Sequence, residues 1–304
     1  YDQPFISDAL PSSLTMMYTG GYNQPLQSHS LPSSLKTLIM ASFNCYIIPD
    51  TLPASLIKLN LGMRFNHSLE RGALPSGLTS LWLNNGFSYI SPNALPASLT
   101  RLKLSHNHYQ TLTPGLLPES LLWLDMGNNY DEPLEMSLPN SLQSLKLSQY
   151  FNHPLQPSLL PDSLTHLFIG DKFKRPLFSE LIPRSLTSLS FGNDLLAYCA
   201  PDTFLHCAGI KRLIVEAFDM PQTLSLLHND LFGGHVQTLV MNKYRKSTYP
   251  RTAIVQRFIV ANITSITLGR RDIGFIRWID SNHLITMSRD SGLKVHIVHA
   301  SSLV

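Results

Sequence analysis

The chain is expected to fold as a leucine-lined solenoid of short parallel β-strands, and three observations predict it. The dipeptide Leu-Pro returns every 21 or 22 residues, at Leu10-Pro11, Leu31-Pro32, Leu52-Pro53, Leu74-Pro75, Leu95-Pro96, Leu117-Pro118, Leu138-Pro139 and Leu160-Pro161, and once more as Ile182-Pro183. Behind it stands the same string each time, x-Ser-Leu-x-x-Leu-x-Leu, as in Leu56, Leu59 and Leu61. A unit this short cannot bury its own apolar side, so each must be covered by its neighbours. Function is therefore expected on a surface and not in an enclosed pocket.

Each part of the unit has a local reason. Proline lacks a backbone donor and fixes φ, which suits the turn leading into the strand. The serine recurs at Ser13, Ser34, Ser55, Ser98, Ser120, Ser141, Ser163 and Ser185, with Gly77 the exception. A hydroxyl stacked at every coil is expected to satisfy backbone groups in a buried turn, where an unpaired one costs roughly 1 to 3 kcal/mol. The last two leucines alternate, as inward side chains of a strand do. Four residues further on, or three in the first two copies, comes an aromatic, often followed by Asn: Tyr22-Asn23, Phe43-Asn44, Phe65-Asn66, Phe87, Tyr130, Phe151-Asn152 and Phe173, with His108 in the same slot. That ring is expected to fill the wide part of the coil. With strand and turns subtracted, too little chain remains for an outer helix, so the outer segments should be extended.

The pattern is that of a leucine-rich repeat, and its details resemble one family, the FNIP (IP22) repeats. The element Phe151-Asn152-His153-Pro154-Leu155 is similar to that family's unit, as is Tyr22-Asn23-Gln24-Pro25-Leu26. The resemblance spans residues 1–195, about nine coils with the first partial. It implies a protein of social amoebae or of giant amoebal viruses, often joined to an F-box, and hence the substrate-recognition arm of a ubiquitin-ligase adaptor. No F-box occurs in this sequence, and Tyr1 to Phe5 read as the second half of a repeat, so a longer protein is expected.

Beyond residue 195 the first apolar position of the unit moves to Ile210, Val236 and Ile263, so the period lengthens. The extra residues leave room for helix, and 222–231 and 252–260 look amphipathic. Residues 196–304 are thus expected to hold degenerate longer repeats and a cap, with a last strand near 293–298.

Composition narrows the partners. Three cysteines without regular spacing, and no apolar run of membrane length, point to reduced thiols in the cytoplasm, the host's if the protein is viral. The glycosylation-type triplets Asn66-His67-Ser68 and Asn262-Ile263-Thr264 are read as accidental, within the repeat core. The pairs His106/His108 and His296/His299 lack a cysteine or carboxylate beside them, so no metal is expected, and no cofactor. Phosphate loops and nucleophile elbows are missing too, and enzyme activity is not expected. Residues 243–277 carry eight basic side chains against Asp272 alone. A polyanion could use them, but no nucleic-acid module accompanies them, and solvated surface is the favoured reading.

The recognition surface should lie at the outward strand positions between the leucines. One row runs Thr37, Lys58, Ser80, Arg101, Trp123, Ser144, His166, Ser188, and the other Ile39, Asn60, Trp82, Lys103, Asp125, Lys146, Phe168, Ser190. With parallel strands ~4.8 Å apart, Trp82 and Trp123 should lie roughly 10 Å from one another with Arg101 and Lys103 between them. Tryptophan and arginine dominate interface energetics. Trp82, Arg101, Lys103 and Trp123, with Lys146, His166 and Phe168, are the candidate contacts for a protein partner bearing an acidic or phosphorylated segment. Nucleic-acid binding through the basic quarter and a structural, virion-associated role are the alternatives.

Overall fold

The computed structural model describes residues 2–7, 9–84, 86, 89–134, 138–192, 195–200, 202–207 and 209–215, and five strands further on. The chain forms two compact units, Tyr1–Leu164 and Thr165–Val304. In the first, β1 (Met16–Thr19), β2 (Thr37–Met40), β3 (Lys58–Leu61), β4 (Ser80–Leu83), β5 (Arg101–Lys103), β6 (Trp123–Asp125) and β7 (Ser144–Lys146) each pair in parallel with the next. In the second, β8 (His166–Ile169), β9 (Ser188–Phe191), β10 (Arg212–Val215), β11 (Thr238–Met241) and β12 (Ser265–Leu268) do the same. This is a leucine-rich-repeat solenoid, as expected. The unit then turns over. Strands β13 (Gly274–Trp278), β14 (His283–Ser288) and β15 (Lys294–His299) continue from β12 as an antiparallel meander, of which the sequence reading foresaw only the last.

Register is set by the leucines. Leu38, Leu59, Leu81, Leu102, Leu124 and Leu145 lie directly across from one another and are at most 1 % exposed. The Leu-Pro turn closes identically in every coil, the first leucine of the strand string donating its N–H to the proline carbonyl, from Leu35 to Pro32 through Leu164 to Pro161. The serine acts as expected: Ser34, Ser55, Ser98, Ser120, Ser141 and Ser163 each donate Oγ–H at 2.7 Å to a leucine carbonyl one coil earlier.

The aromatics form the deep core. Tyr22, Phe43 and Phe65 are buried and stack in turn, with Phe5 on Tyr22 at 4.1 Å, and His108 lies on Tyr130 at 6.1 Å. Burial pushes the Tyr130 phenol up to about 12. Phe87 lies outside the described residues. The asparagine after the ring has its own task, which the sequence reading did not assign. Asn23 Oδ1 accepts the backbone N–H of Asn44 at 2.7 Å, and Asn44 Oδ1 accepts that of Asn66 at 2.9 Å. Asp2 starts this ladder below Asn23, and Asp131 serves Asn152 likewise. Asn66 is itself exposed, not enclosed in the core.

A second unforeseen feature is a left-handed residue two places before six of the Leu-Pro pairs: His29, Asp50, Gly72, Asn93, Gly115 and Ser158 all have φ between 60° and 84°. Each is the third residue of a turn closed by an i to i+3 backbone bond, such as Ser30 to Gln27, so positive φ is required there as in a type II turn. Glu180 holds the matching place before Ile182-Pro183, and there the chain makes a single 3-10 turn, Ser179–Leu181. A glutamate tolerates the left-handed region poorly, and two successive i to i+3 bonds avoid it. This turn precedes residue 195, before which no helical turn was expected. Leu195–Tyr198 is another. The outer segments of the coils otherwise hold turns and no α-helix among the described residues. The amphipathic stretches 222–231 and 252–260 lie outside them.

Candidate functional site

The pairing register lines up the outward positions of the first unit in the two rows expected, from Thr37 across to Ser144 and from Ile39 across to Lys146. The rows begin one strand earlier than the sequence suggested. Met16 and Tyr18 of β1 pair with Thr37 and Ile39 and are strongly exposed, so the face opens with two apolar side chains. The degenerate string Leu14, Met17, Thr19 hid that strand, although Leu10-Pro11 and Ser13 marked its turn.

Trp82 on β4 and Trp123 on β6 reach toward each other over β5. Their ring centroids lie 6.5 Å apart at an interplanar angle of 23°, an offset stack, and not at the roughly 10 Å expected from strand spacing. They belong to different rows, and two long side chains leaning together bury ring surface that upright ones would leave wet. Arg101 and Lys103 on β5 stand between the two tryptophan-bearing strands, as expected. The Arg101 guanidinium lies 4.9 Å from the Trp123 centroid and Lys103 Nζ 5.7 Å from that of Trp82. Trp82 remains 39 % exposed despite these contacts, which leaves ring surface for a partner.

Charge along the second row sorts itself out. Asp125 is buried, accepts the Gly127 N–H at 2.9 Å and pairs with Lys146 Nζ at 3.2 Å. Its charge is thus spent locally. Lys58, Arg101 and Lys103 make no ion pair among the described residues, so the face carries an excess of positive charge around the two rings. Nearby His106 is held below the usual histidine range, first by burial and then by Lys103.

Beside Trp82 lies a hollow of about 390 Å³, lined by the β2 and β3 residues Thr37 to Ile39 and Lys58 to Asn60 together with Ser80, Trp82 and Arg101. The sequence reading missed it, though its signal was present: small residues, Thr37 and Ser80, alternate with long ones along one row. Of the other candidates, Lys146 belongs to the ion pair, while His166 and Phe168 stand on β8 of the second unit, where His166 Nδ1 lies 2.9 Å from Thr165 Oγ1.

His108 is enclosed in the core, and the described residues hold no group of His, Cys, Asp or Glu that could take a metal ion. Cys45, Cys199 and Cys207 are free thiols, and burial pushes Cys199 up to about 12 and Cys207 up to about 11. No helix among the described residues is long and apolar enough to cross a membrane. Of the basic cluster, 243–264 and 269–273 lie outside the described residues.

The profile of the FNIP repeat matches residues 1–43, 43–86, 88–129, 110–150, 130–172 and 151–194. Among solved structures the chain is similar to CroV588, a giant-virus protein described as a novel circular LRR protein structure, with a TM-score of 0.71 and 27 % identity. That match covers 89 % of this chain and 39 % of the other, so this chain spans about two fifths of that protein. No curated protein matches.

Proposed function

The chain belongs to the FNIP repeat family, and from that premise we propose that it is a protein-interaction scaffold whose first unit binds an extended acidic or phosphorylated segment of a partner across its strand face. The repeat-solenoid fold is consistent with such a scaffold, since it displays long rows of side chains that the core does not use. One observation carries the specific reading: a stacked tryptophan pair, with Trp82 exposed to solvent, stands among Lys58, Arg101 and Lys103, and Asp125 of the same face is already paired with Lys146. Exposed aromatic surface ringed by unpaired cations matches an apolar side chain flanked by anionic ones. In this reading the repeats of the first unit carry recognition, and 196–304 hold degenerate longer repeats and a cap. Joined to an F-box, the same face would present substrates to a ubiquitin ligase.

The test is selection of peptides from a random display library on the full chain, followed by affinity measurement with Trp82→Ala, Trp123→Ala. Selected peptides should be rich in Asp and Glu beside apolar residues, and the double substitution should weaken them roughly 30-fold or more, as loss of a hot spot does. Peptides of no charge bias, or equal affinity for a double variant that melts like the native chain, would place recognition elsewhere.

A further inference from the structure

We infer that the hollow beside Trp82 is a seat for a phosphorylated aromatic side chain, a phosphotyrosine of the partner. This rests on the peptide-binding reading of the same face and names the residue that anchors it. The lining divides into two halves. One is a set of donors: Lys58 and Arg101 stand on either side of Ser80 in one row, on strands in register, so their Cα atoms are about 10 Å apart by strand spacing. Two long cationic side chains at that separation can close on one phosphate between them, with the Ser80 hydroxyl on the floor. Asn60 joins them. Asn84 donates to Asn60 Oδ1 at 2.7 Å, which commits the carbonyl of that amide and leaves its NH2 as what Asn60 offers. No carboxylate lines the hollow.

The other half is apolar, made by Ile39 and the Trp82 ring. An inorganic or aliphatic phosphate would leave that wall unused, and a phosphoserine holds its phosphate too close to the peptide backbone to bring anything against it. An aryl phosphate uses both halves, its ring on Trp82 and its charge on Lys58 and Arg101. A nucleotide also combines ring and phosphate, but its ribose diol asks for an acceptor such as a carboxylate, which the lining lacks.

The experiment is calorimetric titration of the full chain with phenyl phosphate, against phenol, inorganic phosphate and AMP. Phenyl phosphate should bind roughly tenfold or more tighter than each of the three, because only it satisfies both halves of the site. Lys58→Met and Arg101→Met should each weaken it roughly tenfold, while Lys36→Met, exposed next to the row but outside the hollow, should leave it unchanged. Should Arg101→Met lower the melting temperature, Lys58→Met alone decides. No binding, binding of phenol or AMP as tight as phenyl phosphate, or indifference to Lys58→Met each overturns the inference. Such a failure beside intact tryptophan-dependent peptide binding leaves the broader reading of the face standing.

Discussion

At the scale of single residues, the coil is held by side chains with one backbone task each. Gly77 stands where other coils have serine, so the Leu56 carbonyl lacks the hydroxyl that its counterparts Leu35 and Leu78 receive. A Cβ added there would meet nothing closer than the Ala54 carbonyl oxygen at 3.5 Å. Gly77→Ser should therefore stabilise the protein by about 0.5 to 1.5 kcal/mol, the net worth of one hydrogen bond, measured by urea denaturation. Gly115 tests the left-handed turn in isolation, because a Cβ at that position would have no neighbour within 4 Å. Gly115→Ala should cost about 1 to 2 kcal/mol through φ alone, and Gly115→Asn less, since Asn93 already fills the equivalent place. His106 supplies a pH test. Its folded pKa is lowered, so the unfolded chain binds the proton more readily, and stability is lost as pH falls through the ordinary histidine range. Between neutrality and pH 5, His106→Gln should lose less stability than the native chain.

At the scale of the element, inward and outward positions of one strand differ sharply in cost. Leu102 is fully buried between coils, and Leu102→Ala should cost roughly 2 to 5 kcal/mol, whereas Lys103→Ala beside it should cost about 0.5 kcal/mol or less. Equal midpoints in denaturant would mean that the strands face the other way. The strand positions from β2 to β9, the turn serines and the core rings were legible in the sequence because the period repeats them, and each copy confirms the others. The left-handed residue was not, since His29, Asp50, Gly72, Asn93, Gly115 and Ser158 share a conformation and no chemistry. The tryptophan pair was legible as a juxtaposition but not as a stack, because register fixes where Cα atoms lie and not how long side chains lean. The antiparallel strands β13 and β14 escaped for a related reason: they abandon the repeat that made the rest readable.

At the scale of the molecule, a fold made of interchangeable coils should tolerate removal of a whole one. Deleting residues 31–51 lets Leu52-Pro53 take the place of Leu31-Pro32, so leucines, serines and rings meet equivalent neighbours again. That variant should keep its strand-type circular dichroism and a cooperative melt, while deletion of residues 31–41, half a coil, should abolish the melt by setting Leu-Pro against strand. The asparagine ladder adds a mechanical consequence. Asn23, Asn44 and Asn66 are links in series, each gripping only the coil beside it, and the serine bonds follow the same rule. Pulled along its stack, the first unit has no tie running past a neighbouring coil in these ladders, so its coils should peel away singly, each rupture releasing the same length of chain. Under tension it would act as a ratcheted spring that shortens again in equal steps when the pull is relaxed.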